Sequence, residues 1–209
     1  MSEKIKLGAL DMKMLEPKSL DKASEKNLFN EVKATYSDFN PTDLASRSKF
    51  ALYELANHEI VTNTYVVENT GKLEYLGAKL AAKGQKILFQ QDYTSFKFVD
   101  VNGVQKRIGI MLRLEAELIT KKADLDLNGI FAIGVAASSG SAFGKLRVKV
   151  YGLSGAPIMQ QIPTPTNISE EALLNAFTSI ATIKSKIYED DVFVLPQDIP
   201  NLPFEFGKY

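Results

Sequence analysis

The even-numbered positions from Ile108 to Leu118 are all apolar, whereas the odd-numbered positions between Arg107 and Glu117 are mostly polar or charged. A period of two is the side-chain period of a β-strand, because successive side chains point to opposite faces of the sheet. This pattern predicts a long strand with one face in the core and the other mostly in contact with water.

A second strand precedes this one. Phe96 and Phe98 form a shorter alternation, and Asn102-Gly103 is a frequent hairpin turn. If the two phenylalanines share a face with Ile108 and Ile110, the loop must contain an odd number of residues. We therefore expect a three-residue loop with Gly103 in the left-handed conformation of a bulge.

The alternation continues beyond Leu118 with a change of parity, since Ala123, Leu125 and Leu127 are the next apolar positions. A break is therefore expected at 120–122. Asn128-Gly129 predicts a second turn into a buried strand at 130–136. A turn at 138–144 then leads to a strand at 145–150, with the basic residues Lys145, Arg147 and Lys149 on its solvated face. Residues 85–155 together predict an antiparallel meander.

Helical patterns lie on both sides of this meander. Apolar residues recur at helical spacing in 19–39, in 41–57 behind an Asn40 cap, in 72–83 and in 169–190. Residues 60–67 are rich in β-branched and aromatic types and predict one earlier strand.

We therefore predict an α+β fold, with N-terminal helices and a later helix packed on an antiparallel β-meander or partly closed sheet. The predicted organisation is a mainly helical segment 1–84, β-hairpins in 85–155, a connector and amphipathic helix in 156–192, and a C-terminal arm in 193–209. With 209 residues, the chain is expected to form one structural domain.

The C-terminal arm is too apolar for a solvated tail, and Pro196, Pro200 and Pro203 prevent it from forming a helix. Its aromatic side chains need a surface to contact, either on another subunit or on the same chain. The interaction residues predicted from this composition are Phe193, Phe204, Phe206 and Tyr209.

Composition excludes several classes of protein. The chain has 25 Lys+Arg and 25 Asp+Glu, so no net charge indicates nucleic acid as a partner. It has no cysteine and one histidine, which excludes disulfide scaffolds, thiolate nucleophiles and multi-histidine metal sites within one chain. We predict no cofactor and no metal.

The first residues lack the apolar stretch of a signal peptide, which indicates cytoplasmic synthesis and leaves open a final location in a virion or a secreted particle.

None of the candidate sites completes a catalytic, metal or phosphate constellation. Residues 139–146 resemble a phosphate-binding loop, but Leu146 stands where that loop needs a serine or threonine, and a strand pattern follows. Glu115 and Glu117 would lie about 7 Å apart on one strand face, as paired carboxylates of a hydrolase do. Asp124 to Gly129 resembles the opening of a calcium loop but has Val135 where a glutamate is required. His58 would need a serine and a carboxylate brought to it by the fold. We therefore predict no catalytic residue.

These observations favour a non-enzymatic structural or interaction subunit of a homo-oligomer or larger particle, for example of a phage or an injection apparatus. The expected partner is the chain itself or another protein. One alternative is a pore-forming protein that inserts amphipathic hairpins from 108–118 and 130–150, and a membrane is a partner only in that case. A third possibility is a carboxylate-dependent hydrolase.

Overall fold

The computed structural model describes residues 10–77 and 79–200, which form an α+β structure. The predicted fold class is confirmed, because helices pack on a large antiparallel sheet. The strands are β1 (Leu10–Asp11), β2 (Lys18–Ser19), β3 (Asn57–Val67), β4 (Lys72–Tyr75), β5 (Lys86–Val101), β6 (Val104–Thr120), β7 (Ala142–Tyr151), β8 (Leu153–Ser154), β9 (Thr166–Asn167), β10 (Phe193–Val194) and β11 (Gln197–Ile199). The helices are α1 (Lys22–Thr35), α2 (Leu44–Glu54), α3 (Ile130–Ser138), α4 (Ala156–Met159) and α5 (Glu170–Lys186), with a 3-10 helix at Met12–Leu15.

Nine of the described strands form one sheet around the long β5–β6 hairpin. The main strand order is β1-β4-β3-β5-β6-β11-β2, and β7 pairs with β6 on the same side as β11, farther along the strand. Strand β9 pairs with β7, while β8 and β10 form a separate two-stranded ladder.

The helices cover the face formed by the even-numbered residues of β6, which we call the helix face. Leu112, Leu114 and Ala116 are buried there in the largest apolar cluster. Helices α3 and α5 contribute to this cluster through Ile130, Ile133, Leu173, Ala176, Ile180 and Ile183. Helix α1 packs separately, with Leu28 and Val32 against Val99, Val101 and Ile108 near the hairpin tip.

The opposite face is crossed by residues 10–19, which we call the strap. Strand β1 attaches the strap to β4 at one side of the sheet, and β2 attaches it to β11 at the other. Between these attachments, Leu15 is buried against Tyr65, Leu73 and Leu88. The prediction of a mostly solvated face on β6 is therefore wrong, since Arg113 is only 1% exposed and Glu115 is fully buried. We call this surface the strap face.

The β5–β6 turn contains two residues, not the predicted three. Val101 is opposite Val104, and both Asn102 and Gly103 have positive φ angles of 56° and 80°. These angles suit a type I′ turn, whose twist matches that of a hairpin. In this register Phe96 lies opposite Gly109, on the strap face. The prediction of a three-residue loop assumed that Phe96 shares a face with Ile108 and Ile110, and it does not.

The predicted buried strand at 130–136 is wrong, because these residues form helix α3. Ile130, Ile133 and Gly134 are buried while Phe131 and Val135 are exposed, which is a helical and not an alternating pattern. A short run that is apolar on both sides does not distinguish a buried strand from a buried helix. Gly129, with φ of 96°, begins the helix and does not close a hairpin.

The predicted helix at 72–83 is also wrong. Residues Lys72–Tyr75 form β4 and pair with the end of β3. Gly71 and Gly77 have φ angles of 79° and 56°, a conformation that glycine adopts without strain and that interrupts a helix. The turn before β4 is closed by the amide of Glu68, which donates to the carbonyl of Lys72 at 2.8 Å.

The alternation at 123–127 forms no strand and makes only an isolated bridge from Leu125 to Ala81. The other predicted helices and strands are confirmed with changed ends. Helix α1 lies within 19–39, and α5 begins after Ser169, whose Oγ accepts from the amide of Ala172 at 3.1 Å. Helix α2 is capped by Asp43 and not by Asn40, because Asp43 accepts from the amide of Ser46. The strand predicted at 60–67 begins earlier, at Asn57.

The first part of the C-terminal arm packs on its own chain. Phe193 pairs with Ser154 in the small ladder, and Ile199 is buried beside Phe96 and Met111 on the strap face. The amide of Val194 donates to Oγ of Ser48 in α2 at 2.6 Å. The other predicted interaction residues, Phe204, Phe206 and Tyr209, lie outside the described residues.

Candidate functional site

Strand β3 has one side that carries no partner over most of its length. It pairs with β5 from Asn57 to Val67, but β4 covers its other side only from Tyr65 to Val67. No other strand in the described part of the chain pairs with residues 57–63 on that side. We call residues 57–63 the open edge.

The direction of the backbone groups on the open edge follows from two hydrogen bonds. The amide of Leu76 donates to the carbonyl of Thr64 at 2.8 Å, so this carbonyl points away from β5. The hydroxyl of Thr94 in β5 donates to the carbonyl of Glu59 at 3.3 Å, so this carbonyl points toward β5. Because these directions alternate along an antiparallel strand, the outward N–H and C=O groups belong to His58, Ile60 and Thr62.

The side chains of the open edge do not block another strand. Proteins usually protect an exposed edge with lysine, proline, a bulge or an inward-pointing charge. Residues 57–63 contain neither lysine nor proline, and Ile60 is 64% exposed. Glu59, which carries the acidic charge of this segment, forms an ion pair with Arg107. The open edge is therefore apolar at its centre and nearly balanced in charge.

A cleft of about 240 Å³ adjoins the open edge on the helix face. His58 and Ile60 form one wall of the cleft and Lys184 and Ile187 of α5 form another, above Tyr93, Ser95, Ile110 and Leu112. Lys184 Nζ lies 5.8 Å from the centre of the Tyr93 ring, which is a cation–π distance. The cleft thus combines an apolar floor with a few polar groups at its rim.

The fold places His58 beside a serine. His58 Nδ1 lies 2.9 Å from Ser95 Oγ, and the two residues are direct partners in the β3–β5 ladder. Within the residues that the structure describes, no carboxylate forms a hydrogen bond with His58. The pair therefore lacks the third group that orients the imidazole in a catalytic triad.

A second polar cluster lies buried on the strap face, and its residues do not line the cleft beside the open edge. Arg113 binds Asp92 with two hydrogen bonds, Nε to Oδ1 at 2.6 Å and Nη2 to Oδ2 at 2.8 Å. Arg113 Nη2 also donates to the carbonyl of Leu15 in the strap at 2.8 Å. Burial alone would lower the pKa of Arg113, but its hydrogen bonds with Asp92 raise that pKa above its usual value.

Glu115 belongs to this cluster and is not a free carboxylate. Its Oε2 accepts from Gln90 Nε2 at 3.0 Å, and its Oε1 lies 3.2 Å from Lys149 Nζ. Glu117 forms an ion pair with Arg147. The two glutamates proposed as a hydrolytic pair are thus both bound to basic or amide groups. Lys149 also binds Glu16 of the strap at 3.1 Å.

The other candidate sites found in the sequence have structural roles. Asp126 Oδ1 accepts from the amide of Asn128 at 2.9 Å in the loop before α3. Across the described ranges, no three acidic or histidine side chains lie close enough together to hold a metal ion. Residues 139–146 begin after helix α3 and continue into β7, so they do not open a helix as a phosphate-binding loop does.

Two buried tyrosines give a test of this description. Burial raises the pKa of Tyr65 and of Tyr151, which lie near Asp92 and Arg113. Because the folded-state pKa is raised, both hydroxyls favour the folded state below the unfolded value of about 10, and this contribution is lost as the pH rises above that value.

In an absorbance titration of the eight tyrosines, we expect Tyr65 and Tyr151 to ionise only when the circular dichroism of the fold is also lost. The double substitution Tyr65→Phe with Tyr151→Phe should remove this late phase. Ionisation of all the tyrosines in one step with the fold intact would contradict the described burial.

Comparisons of the chain with protein-family models, with curated proteins and with solved structures find no match. Among the helices of the described residues, none is long and apolar enough to cross a membrane. The open edge was missed because residues 72–83 were predicted to form a helix, so nothing in the sequence indicated that the short strand β4 lies beside β3.

Proposed function

We propose that the protein is a non-enzymatic structural subunit that assembles with copies of itself into a homo-oligomer or a larger particle. The observation that carries this proposal is the open edge of β3. Its outward N–H and C=O groups are strong hydrogen-bonding groups, and an unprotected edge is a template for another strand. Ile60, at the centre of that edge, is 64% exposed, and a second strand would remove it from water.

A second surface supports assembly beyond a pair of subunits. On α3, Phe131 and Val135 lie one helical turn apart and are 87% and 69% exposed. Adjacent exposed apolar side chains of this size are a feature of contact surfaces. A subunit with two separate contact surfaces can build structures larger than a dimer.

The two alternative functions have less support. The pore hypothesis used residues 108–118 and 130–150 as membrane-spanning β-structure, but residues 130–138 form helix α3. The hydrolase hypothesis used Glu115 and Glu117, which are bound to Lys149, Gln90 and Arg147. We therefore propose neither function.

Light scattering tests the proposed self-assembly. We expect the full-length protein at micromolar concentration to have a mass that is a multiple of the 23.1 kDa chain. Dilution should dissociate the assembly, and particle imaging should show a defined symmetry. A mass of one chain throughout the accessible concentration range would contradict the proposal.

A further inference from the structure

We infer that two copies of the chain pair through their open edges, β3 against β3, as antiparallel strands related by a two-fold axis at Ile60. This inference depends on the proposed self-assembly and adds its symmetry and its register. The two sheets would become one continuous sheet, with the helices of both copies on the same side. Because each copy uses the same edge, the contact closes on itself and does not produce a filament.

The register follows from the outward backbone groups. In an antiparallel pair, two residues that exchange both hydrogen bonds must both point their N–H and C=O groups toward the partner strand. On this edge those residues are His58, Ile60 and Thr62. With Ile60 opposite Ile60, His58 of each copy lies opposite Thr62 of the other. Each of these three residues then exchanges both backbone hydrogen bonds with the residue opposite it in the other copy.

Neighbouring registers use fewer of these groups. A shift in one direction places His58 opposite Thr64, whose carbonyl already accepts from the amide of Leu76. A shift in the other direction places Thr62 opposite residue 56, which precedes β3. A one-residue slip would bring the helix face of one copy beside the strap face of the other. The Ile60-centred register is therefore favoured.

The side chains also suit this register. The two exposed Ile60 side chains would lie together on the helix face, where β-branched cross-strand pairs are favourable. Glu59 would lie opposite Val61 on the strap face, and its charge is balanced by Arg107 of its own chain. No like charges are directly opposite one another. His58 and Ile60 also line the cleft, so the second copy would extend one wall of each cleft.

The absence of cysteine from the chain permits a direct test of the register. In the proposed pair, the variant Ile60→Cys places two thiols opposite each other, with Cα atoms about 5.5 Å apart, which a disulfide can span. We expect mild oxidation to convert Ile60→Cys into a covalent dimer. Thr62→Cys is the matched control, because its two copies would be about 13 Å apart along the strands and should not be linked.

Further variants separate the edge contact from random collision. His58→Cys combined with Thr62→Cys should restore cross-linking, since these residues are opposite each other in the pair. Met159→Cys, at a similarly exposed position in α4, measures collisional cross-linking. Equal cross-linking of Thr62→Cys and Ile60→Cys would overturn the register.

A charge substitution tests the interface without cross-linking. Ile60→Lys places two ammonium groups opposite each other, and we expect the dimer dissociation constant to rise at least tenfold, while Met159→Lys leaves it unchanged. Circular dichroism checks that both variants fold. Suppose that the native protein forms an oligomer, that Ile60→Lys leaves this oligomer intact, and that Ile60→Cys gives no covalent dimer. The edge pairing is then wrong, but the proposed self-assembly stands. If the native protein is monomeric at every concentration, both proposals fail.

Discussion

Replacement of Arg113 by methionine is expected to lower the free energy of unfolding by about 3–5 kcal/mol, the usual cost of removing one partner of a buried ion pair. Asp92 is 4% exposed and would keep a charge without its two hydrogen bonds from Arg113. The carbonyl of Leu15 would also lose its donor. Urea denaturation followed by circular dichroism measures the change.

A double substitution shows whether the loss comes from the unpaired charge. Asp92→Asn combined with Arg113→Met removes both charges, and the double variant should be more stable than the sum of the single changes predicts. Arg113→Lys should also be destabilising, because lysine lacks the planar fork that binds both oxygens of Asp92. A loss below about 1 kcal/mol for Arg113→Met, which is typical of an exposed pair, would contradict the described burial.

Substitution of Gly109 by alanine is expected to cost about 3 kcal/mol, the upper end of the range for overpacking. A Cβ atom at this position would lie 2.0 Å from the carbonyl oxygen of Ser95 and 2.6 Å from Cα of Phe96. Both are backbone atoms of β5, so no side chain can rotate to make room. The two central strands would have to separate.

Gly140→Ala is the matched control for this steric effect. A Cβ atom on Gly140 would meet no atom within 4 Å, but its φ of 66° makes alanine unfavourable there by about 1–2 kcal/mol. Thermal unfolding of both variants should show the larger loss for Gly109→Ala. Equal losses would mean that β5 and β6 are not in close contact at Gly109.

The elements that the sequence predicted correctly depend on local patterns. Strand β6 follows from its alternation, and α5 follows from its Ser169 cap and its apolar spacing. Helix α3 was mistaken for a strand, because its apolar run is short and its surroundings decide between the two. For β6 and α5 the hydrophobic pattern shows which residues share a face, but it does not show what covers that face.

The features that matter most for the proposed function depend on contacts between distant residues. Arg113 is buried because Leu15, far from it in sequence, lies over it. The open edge of β3 exists because β4 contains only four residues. The hydrogen bond between His58 and Ser95 depends on the β3–β5 register. None of these could be derived from residue spacing within one segment.

The strap also limits the order in which the chain can complete its fold during synthesis. Strands β3, β5 and β6 can pair while later residues are still on the ribosome, and β1 can attach to β4 early. Strand β2 pairs with β11, so the second attachment of the strap requires residues 197–199. Until these residues emerge, Leu15 can already cover Arg113, but Lys18 and Ser19 have no strand to pair with. A chain shortened before Gln197 would therefore keep the middle of the strap in place and lack its second attachment to the sheet.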